Sequence, residues 1–326
     1  DRSPERGCWM FVVHKSKSAK LLRRASLADQ ELLGQLWQLC NPAGEPVGCT
    51  CSDDASLVER MDVLLRQLTP RLVALAMQNG NTALHMIVRW APIQAVLTMM
   101  EFVGEDGEQV CNSELHTPLL AAFRYPSRDE LLLEMVRHSH VSTLQCATAH
   151  GESPLYRATQ VANKEIADLL ISRLPPKALY SANNYGETPL SAACYNIRAI
   201  RELPWEEREM LWVASALVRV IPLEGLLVSD MKGDTPLHVT CKTNGLGVVV
   251  MVDRMPAEAL GAVNNKGHSA LQCAALSACA RGVQALLQKM IKSDIDRKDK
   301  DGLTAMDYAT KSTRNMFRPP AKGAIL

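Results

Sequence analysis

Apolar positions along the chain fall in short runs at three- and four-residue steps, separated by clusters of Gly, Asn, Asp, Thr and Pro. Ser26–Cys40 (SLADQELLGQLWQLC) reads as an amphipathic helix with Ser26 as its N-cap and Glu31 in its early turns. Ala55–Leu68 (ASLVERMDVLLRQL) predicts a second, capped by Asp54, and Asn163–Ile171 shows the same 3.6-residue spacing. Ahead of these, Trp9–Val13 (WMFVV) reads as a strand or as an extended peptide lying on the fold. Aromatic residues make up 5% of the chain against 14 Met, which favours helices packed through small side chains over a sandwich or barrel.

The polar punctuation is itself periodic. Asn79–His85 (NGNTALH), Glu114–Leu120 (ELHTPLL), His150–Tyr156 (HGESPLY), Tyr185–Ser191 (YGETPLS), Lys232–His238 (KGDTPLH), Lys266–Gln272 (KGHSALQ) and Asp301–Asp307 (DGLTAMD) share one pattern. Their hydroxyl residues stand at 82, 117, 153, 188, 235, 269 and 304, giving steps of 35, 36, 35, 47, 34 and 35 residues. Each position has a mechanical purpose. Glycine closes the turn at positive φ, with Leu115 in its place in the second string. Thr or Ser caps the following helix, and Pro at the first helical position lacks a donor that would be unpaired anyway. Ala121-Ala122 and Ala192-Ala193 let successive helices approach closely, and Cys194 and Cys241 occupy one equivalent slot just beyond.

These strings resemble the ankyrin-repeat family, whose period is about 33 residues, from about residue 55 to 317. The resemblance implies an all-α fold, an ankyrin-repeat α-solenoid of helix–turn–helix units joined by short β-hairpin-like loops. It also makes His85 and His238 structural, each imidazole bonding around its turn. The chain departs from the family in its links. Pro70–Leu75, Pro175–Leu179, Pro222–Leu226 and Pro256–Leu260 each predict an extra short helical turn. The 47-residue step carries a charged insertion, Arg198–Glu209 (RAIRELPWEERE), expected at a loop or helix extension. Asp301–Ala309 resembles a terminal repeat, its outer helix shortened before Pro319. The resulting organisation is an N-terminal extension over 1–52, a repeat array over 53–318 with the second helix covering its apolar end, and a tail over 319–326. This replaces the two compact domains that 326 residues would ordinarily suggest.

The chemistry sought beyond the repeats is sparse. With 36 Lys and Arg against 35 Asp and Glu, a net charge of +1 offers no global field for nucleic acid or an anionic membrane. No apolar stretch approaches the roughly 20 residues of a membrane span. The ten cysteines read as free thiols buried as small hydrophobes. Cys40, Cys49 and Cys51 form the one cluster, readable as a zinc site, a local disulfide or a loop with incidental cysteines. Asn244–Val250 (NGLGVVV) lacks the third glycine of a dinucleotide loop and falls in the register of an interhelical loop. His138 and His140 read as solvent-exposed, and Glu206, Glu207 and Glu209 as a charged loop. Arg23-Arg24-Ala25-Ser26 matches a basophilic kinase acceptor, so Ser26 doubles as a candidate regulatory phosphosite. No catalytic, metal or cofactor constellation rises above the repeat pattern.

The family binds proteins through hairpin tips and the concave face of the inner helices. By resemblance His116, Glu152, Glu187 and Asp234 fall at tips. Arg89, Trp90, Arg124, Tyr125, Arg157 and Tyr195 fall on the inner-helix face, with Tyr185 beside a tip and Trp205 in the insertion. Trp, Tyr and Arg are the residue types enriched in hot spots. The implied function is a non-catalytic adaptor, monomeric, binding a partner protein and needing no cofactor, in the cytoplasm or nucleus. Two other readings stand beside it: the ankyrin targeting region of a larger enzyme such as a bacterial effector in host cytosol, and an inhibitor-type transcriptional co-regulator. The chain opens on Asp1 rather than Met, so a piece of a longer protein is expected, with a catalytic or targeting segment upstream.

Overall fold

A computed structural model describes residues 26–40, 54–75, 80–161, 163–199, 206–243 and 247–317. Trp9–Val13, Cys8, Cys49, Cys51, Trp205 and the tail from 318 onward lie outside the described residues. Among the described residues the regular structure is helical, with a single isolated β-bridge between Val263 and Ser269. The chain divides into two compact units, Asp1–Ala149 and His150–Leu326.

In the first unit, Leu27–Cys40 packs on the inner helix Ala83–Ile87, and Asp54–Leu65 packs on the outer helix Ile93–Glu108. The two early helices also touch each other, so they behave as one further helix pair laid on the first repeat. Ser26 caps the first of them, with Asp29 as its partner: the Asp29 amide donates to Ser26 Oγ at 3.1 Å, and the Ser26 amide returns a bond to Asp29 Oδ2 at 3.1 Å. The second helix ends at Leu65, three residues short of its expected limit, because Arg66–Leu68 close into a turn. Leu33, Leu36, Met61, Leu84 and Met99, one or more from each of these elements, are fully buried.

In the second unit the inner helices Pro154–Gln160, Pro189–Ala199, Pro236–Lys242, Ala270–Leu276 and Ala305–Tyr308 each touch the next. Behind them Lys164–Arg173, Glu206–Val220, Val248–Arg254 and Ala280–Lys289 stack in the same order. Small residues set this spacing: Ala192, Ala193, Ala270, Ala274 and Ala275 lie at the contact and are buried. Cys194 and Cys241 are buried in it as well, as their shared slot predicts. The expected extra turns are present at Pro70–Val73, Pro176–Tyr180, Leu223–Leu226 and Ala257–Gly261. Thr143–Gln145 and Lys292–Ile295 supply the same turn without the Pro-rich signal. The two ends of the insertion lie in helices, Pro189–Ala199 of 11 residues and Glu206–Val220 of 15, and 200–205 lie outside the described residues. Glu206, Glu207 and Glu209 therefore belong to a helix, where a charged loop was expected.

Five hairpins share a closure that the repeat strings do not include. Asn112, Asn183, Asp230, Asn264 and Asp299 stand five residues before the capping Thr or Ser. In each, Oδ1 accepts two amides of its own loop, as Asn264 does from Lys266 and His268 at 3.0 Å each. The same pair of bonds forms at Asn112, Asn183, Asp230 and Asp299. This Asx turn satisfies amides that the tight loop cannot pair internally. The second hairpin keeps this geometry although Leu115 replaces glycine: Leu115 takes φ 57°, and its side chain is 52% exposed.

A left-handed non-glycine residue costs roughly 1–2 kcal/mol, and glycine returns part of that as unfolded-chain entropy of about 0.5–1 kcal/mol. We expect Leu115→Gly to raise unfolding stability by about 0.5–1 kcal/mol and Leu115→Val, β-branched and worse at positive φ, to lower it. Urea unfolding of the three proteins checks this; identical midpoints for Leu and Val would contradict it.

Candidate functional site

Each inner helix opens with the hydroxyl cap of its string, and the residue three further on decides how the repeat grips the next hairpin. At His85 the Thr82 amide donates to Nδ1 at 3.1 Å and the Thr82 hydroxyl lies 2.9 Å from the same atom. Nε2 is 2.9 Å from the His116 carbonyl oxygen, so the ring must carry its proton on Nε2. His238 repeats this between Thr235 and the His268 carbonyl, at 3.0 Å. Gln272 does it with an amide, accepting from the Ser269 amide at 2.7 Å and donating to the Leu303 carbonyl at 2.9 Å. Tyr156 crosses instead to a side chain, its hydroxyl donating to Glu187 Oε2 at 2.7 Å. Burial pushes the His85 pKa down to about 4 and lowers that of His238. A proton added at Nδ1 would meet an amide that already points at it.

The expected binding residues separate into exposed and structural ones. In the first unit, Trp90 is half-buried and its indole N–H donates to the Cys40 carbonyl at 2.9 Å, fastening the early helix to the repeat. His116, placed at a tip by resemblance, is buried, with Nδ1 3.1 Å from Glu114 Oε2. Arg124 is exposed and pairs with Glu114, whose carboxyl it holds below the ordinary range. Arg89 is exposed and Tyr125 half-buried.

In the second unit, Asp234 is 1% exposed, where a solvent-facing tip residue was expected. Its carboxylate pairs with Lys242 and accepts from Asn264 Nδ2 at 2.8 Å. It is buried because its own loop folds it against the next hairpin. Arg157 lies 3.4 Å from Glu152 and donates to Gln160 at 2.8 Å. Glu187 and Tyr195 come together with Tyr156, Gln160, Ala192 and Lys232 around an open depression of about 290 Å³. Burial raises the Tyr195 pKa, reinforced by Asp230, Asp234 and Glu187. Next to this depression Tyr185 is 51% and Met231 71% exposed. The Met231 amide donates to the Tyr185 carbonyl at 2.9 Å, and Tyr185 stacks on His150 at 6.4 Å between centroids. Met231 and Lys232 were missed because a surface side chain at a tip carries no periodic signal.

The remaining chemistry is quiet. Cys40 and Cys273 are pushed up to about 12 by burial, while Cys111 is exposed and Cys146 half-buried, unlike the buried thiols expected. His138 and His140 are exposed, facing Glu134 and Glu105 at 3.5 and 3.8 Å. Among the described residues no group of three or more His, Cys, Asp or Glu is placed to hold a metal, and no helix is long and apolar enough to cross a membrane.

No protein-family model matches the chain. It is 34% identical over 85 residues to Alpha-latrotoxin-Lg1a of Latrodectus geometricus and 31% over 85 residues to Alpha-latrotoxin-Lh1a of Latrodectus hasselti. Each match covers 25% of this chain and 6% of the toxin, so the chain spans a small fraction of the curated relatives it matches. Among solved structures, the ankyrin repeat domain of Bcl-3, described as a unique member of the IkappaB protein family, superposes with a TM-score of 0.55 at 19% identity. That match covers 74% of this chain and 100% of the other. EF0377, an ankyrin repeat protein, gives 0.47 at 18% identity over 63% of this chain and 89% of the other. The chain has the ankyrin-repeat fold.

The histidine bridges make stability depend on pH with a definite sign. Below the ordinary histidine pKa of about 6.5 the unfolded chain takes up the proton, while folded His85 stays neutral down to about 4. Stability is therefore complete above pH 6.5 and falls through this window as pH drops. At about 1.4 kcal/mol per pH unit, the loss from His85 is of order 3 kcal/mol by pH 4. His85→Gln, which installs the Gln272 solution, should melt close to the wild type at pH 7.5 and lose markedly less on transfer to pH 5. Equal losses in the two proteins would contradict the assignment.

Proposed function

We propose that the chain is a protein-recognition module without catalysis of its own, and that the hairpin tips and inner-helix face of its third to fifth repeats carry the contact. The observation that supports this reading is the pairing of two large exposed side chains, Tyr185 and Met231, on adjacent tips beside the depression that Tyr195 lines. Exposed apolar groups on neighbouring rigid loops are what a partner buries first, and Tyr and Met are enriched in such contacts. The Asx turns hold these loops before binding, so little ordering entropy opposes association. Arg89, Arg124 and Tyr125 offer a second, more polar contact set in the first unit. Trp90, His116 and Asp234 take structural roles, and the binding energy is assigned elsewhere. The likeness of the fold to the Bcl-3 repeat domain is at a sequence identity too low to bring that protein's family role with it.

Affinity capture from lysate followed by mass spectrometry tests the reading. Tyr185→Ala/Met231→Ala is expected to weaken the captured interaction by about tenfold or more, with an unchanged melting temperature, because both side chains are mostly in solvent. Retention of the same partners at unchanged affinity would assign binding to another surface. The identity of the partner then separates a host-directed effector arm from a co-regulator that grips a DNA-binding factor.

A further inference from the structure

The depression across the third to fifth repeats has a local polarity that the chain's net charge of +1 does not suggest. Two ion pairs lie around it: Arg157 faces Glu152, and Lys242 pairs with Asp234. What remains is asymmetric. Glu187 takes both of its hydrogen bonds, from the Tyr156 hydroxyl and from Asn183 Nδ2 at 3.0 Å, on Oε2, which leaves Oε1 open. Asp230 spends Oδ1 on the Lys232 and Asp234 amides. Glu187 lines the depression and Asp230 acts on Tyr195 from beside it, while among the described residues the lining holds one cation, Lys232. The Tyr195 hydroxyl is raised first by burial and then by Asp230, Asp234 and Glu187. Tyr195, half-buried, and the more deeply buried Tyr156 line the depression, and aromatic rings attract cations.

Resting on the protein-recognition reading above, we infer that this depression receives an arginine side chain from an exposed segment of the partner protein. Glu187 Oε1 accepts from the guanidinium, and its plane lies against the tyrosines. Arginine is favoured over lysine because its flat, weakly hydrated head both stacks on aromatics and bonds to carboxylate. A volume of about 290 Å³ suits one inserted side chain rather than a folded element. Nucleic acid has the wrong sign for it.

The probe is a fluorescein-labelled peptide, GSRGSRGS, titrated with the full chain and followed by anisotropy, with the same peptide carrying the neutral isostere citrulline for arginine as control. The arginine peptide is expected to bind at least about tenfold more tightly than the citrulline peptide. Glu187→Gln and Tyr195→Ala should each cost about tenfold, and Lys232→Ala should tighten binding by about two- to threefold. Melting curves show which variants keep the fold, and if Glu187→Gln does not, the Tyr195 and Lys232 variants decide the matter with their opposite signs. Equal affinity for the two peptides, no binding up to millimolar protein, or insensitivity to the folded variants overturns the inference. It also fails separately from the reading it rests on: partners lost by Tyr185→Ala/Met231→Ala but kept by Glu187→Gln leave protein recognition standing and remove the arginine.

Discussion

The structure depends on satisfying the polar backbone where the chain reverses. Each repeat ends in a hairpin packed against its neighbour, and a buried amide or carbonyl without a partner costs roughly 1–3 kcal/mol. Two side chains remove that cost. An Asn or Asp five residues before the cap closes its own loop through one oxygen, and the residue three after the cap reaches toward the next loop. At the hairpin of Asp299, among the described residues, the second device turns inward: Asp307 accepts from Thr304, at 2.8 Å from its amide and 2.7 Å from its hydroxyl. The pair forms a local capping box at the start of the helix Ala305–Tyr308.

The same bookkeeping explains why the repeats diverge without losing the fold. His85, Tyr156, His238 and Gln272 differ chemically, yet each presents a donor at the distance of the neighbouring hairpin. Ser191 is too short to cross and returns its hydroxyl to the Thr188 carbonyl at 2.8 Å. Variation in this slot therefore changes how strongly repeats are tied while leaving the helices in place. The exchange of His for Tyr in the third repeat has a consequence for the surface. Because Tyr156 reaches a carboxylate side chain rather than a backbone carbonyl, it draws Glu187 into the depression and fixes one of its oxygens.

Much of this was legible in the sequence. The seven cap strings gave the repeats, the small-residue pairs marked the helix contacts, and the Pro-rich links announced extra turns. The Thr143 and Lys292 turns were not, because they form without proline at the start. Asp234 and His116 show where a motif-based placement stops: a tip position in the family pattern becomes interior when its own loop folds it onto a neighbour. The exposed pair Tyr185 and Met231 lay in plain view as residue types. Only the meeting of two repeats distant in sequence puts them side by side. The domain division expected at residues 52 and 318 is retained as a proposal; the contacts group the chain at Ala149.

The central claim is that recognition takes place on tips and inner helices held rigid before binding. Hydrogen–deuterium exchange of the full chain, free and saturated with its captured partner, tests it most directly. The account predicts new protection in 183–195 and 229–235, together with slow exchange of the Asx-closed loop amides already in the free protein. Protection confined to the outer helices Lys164–Arg173 and Glu206–Val220, or hairpin amides that become slow only on binding, would contradict it.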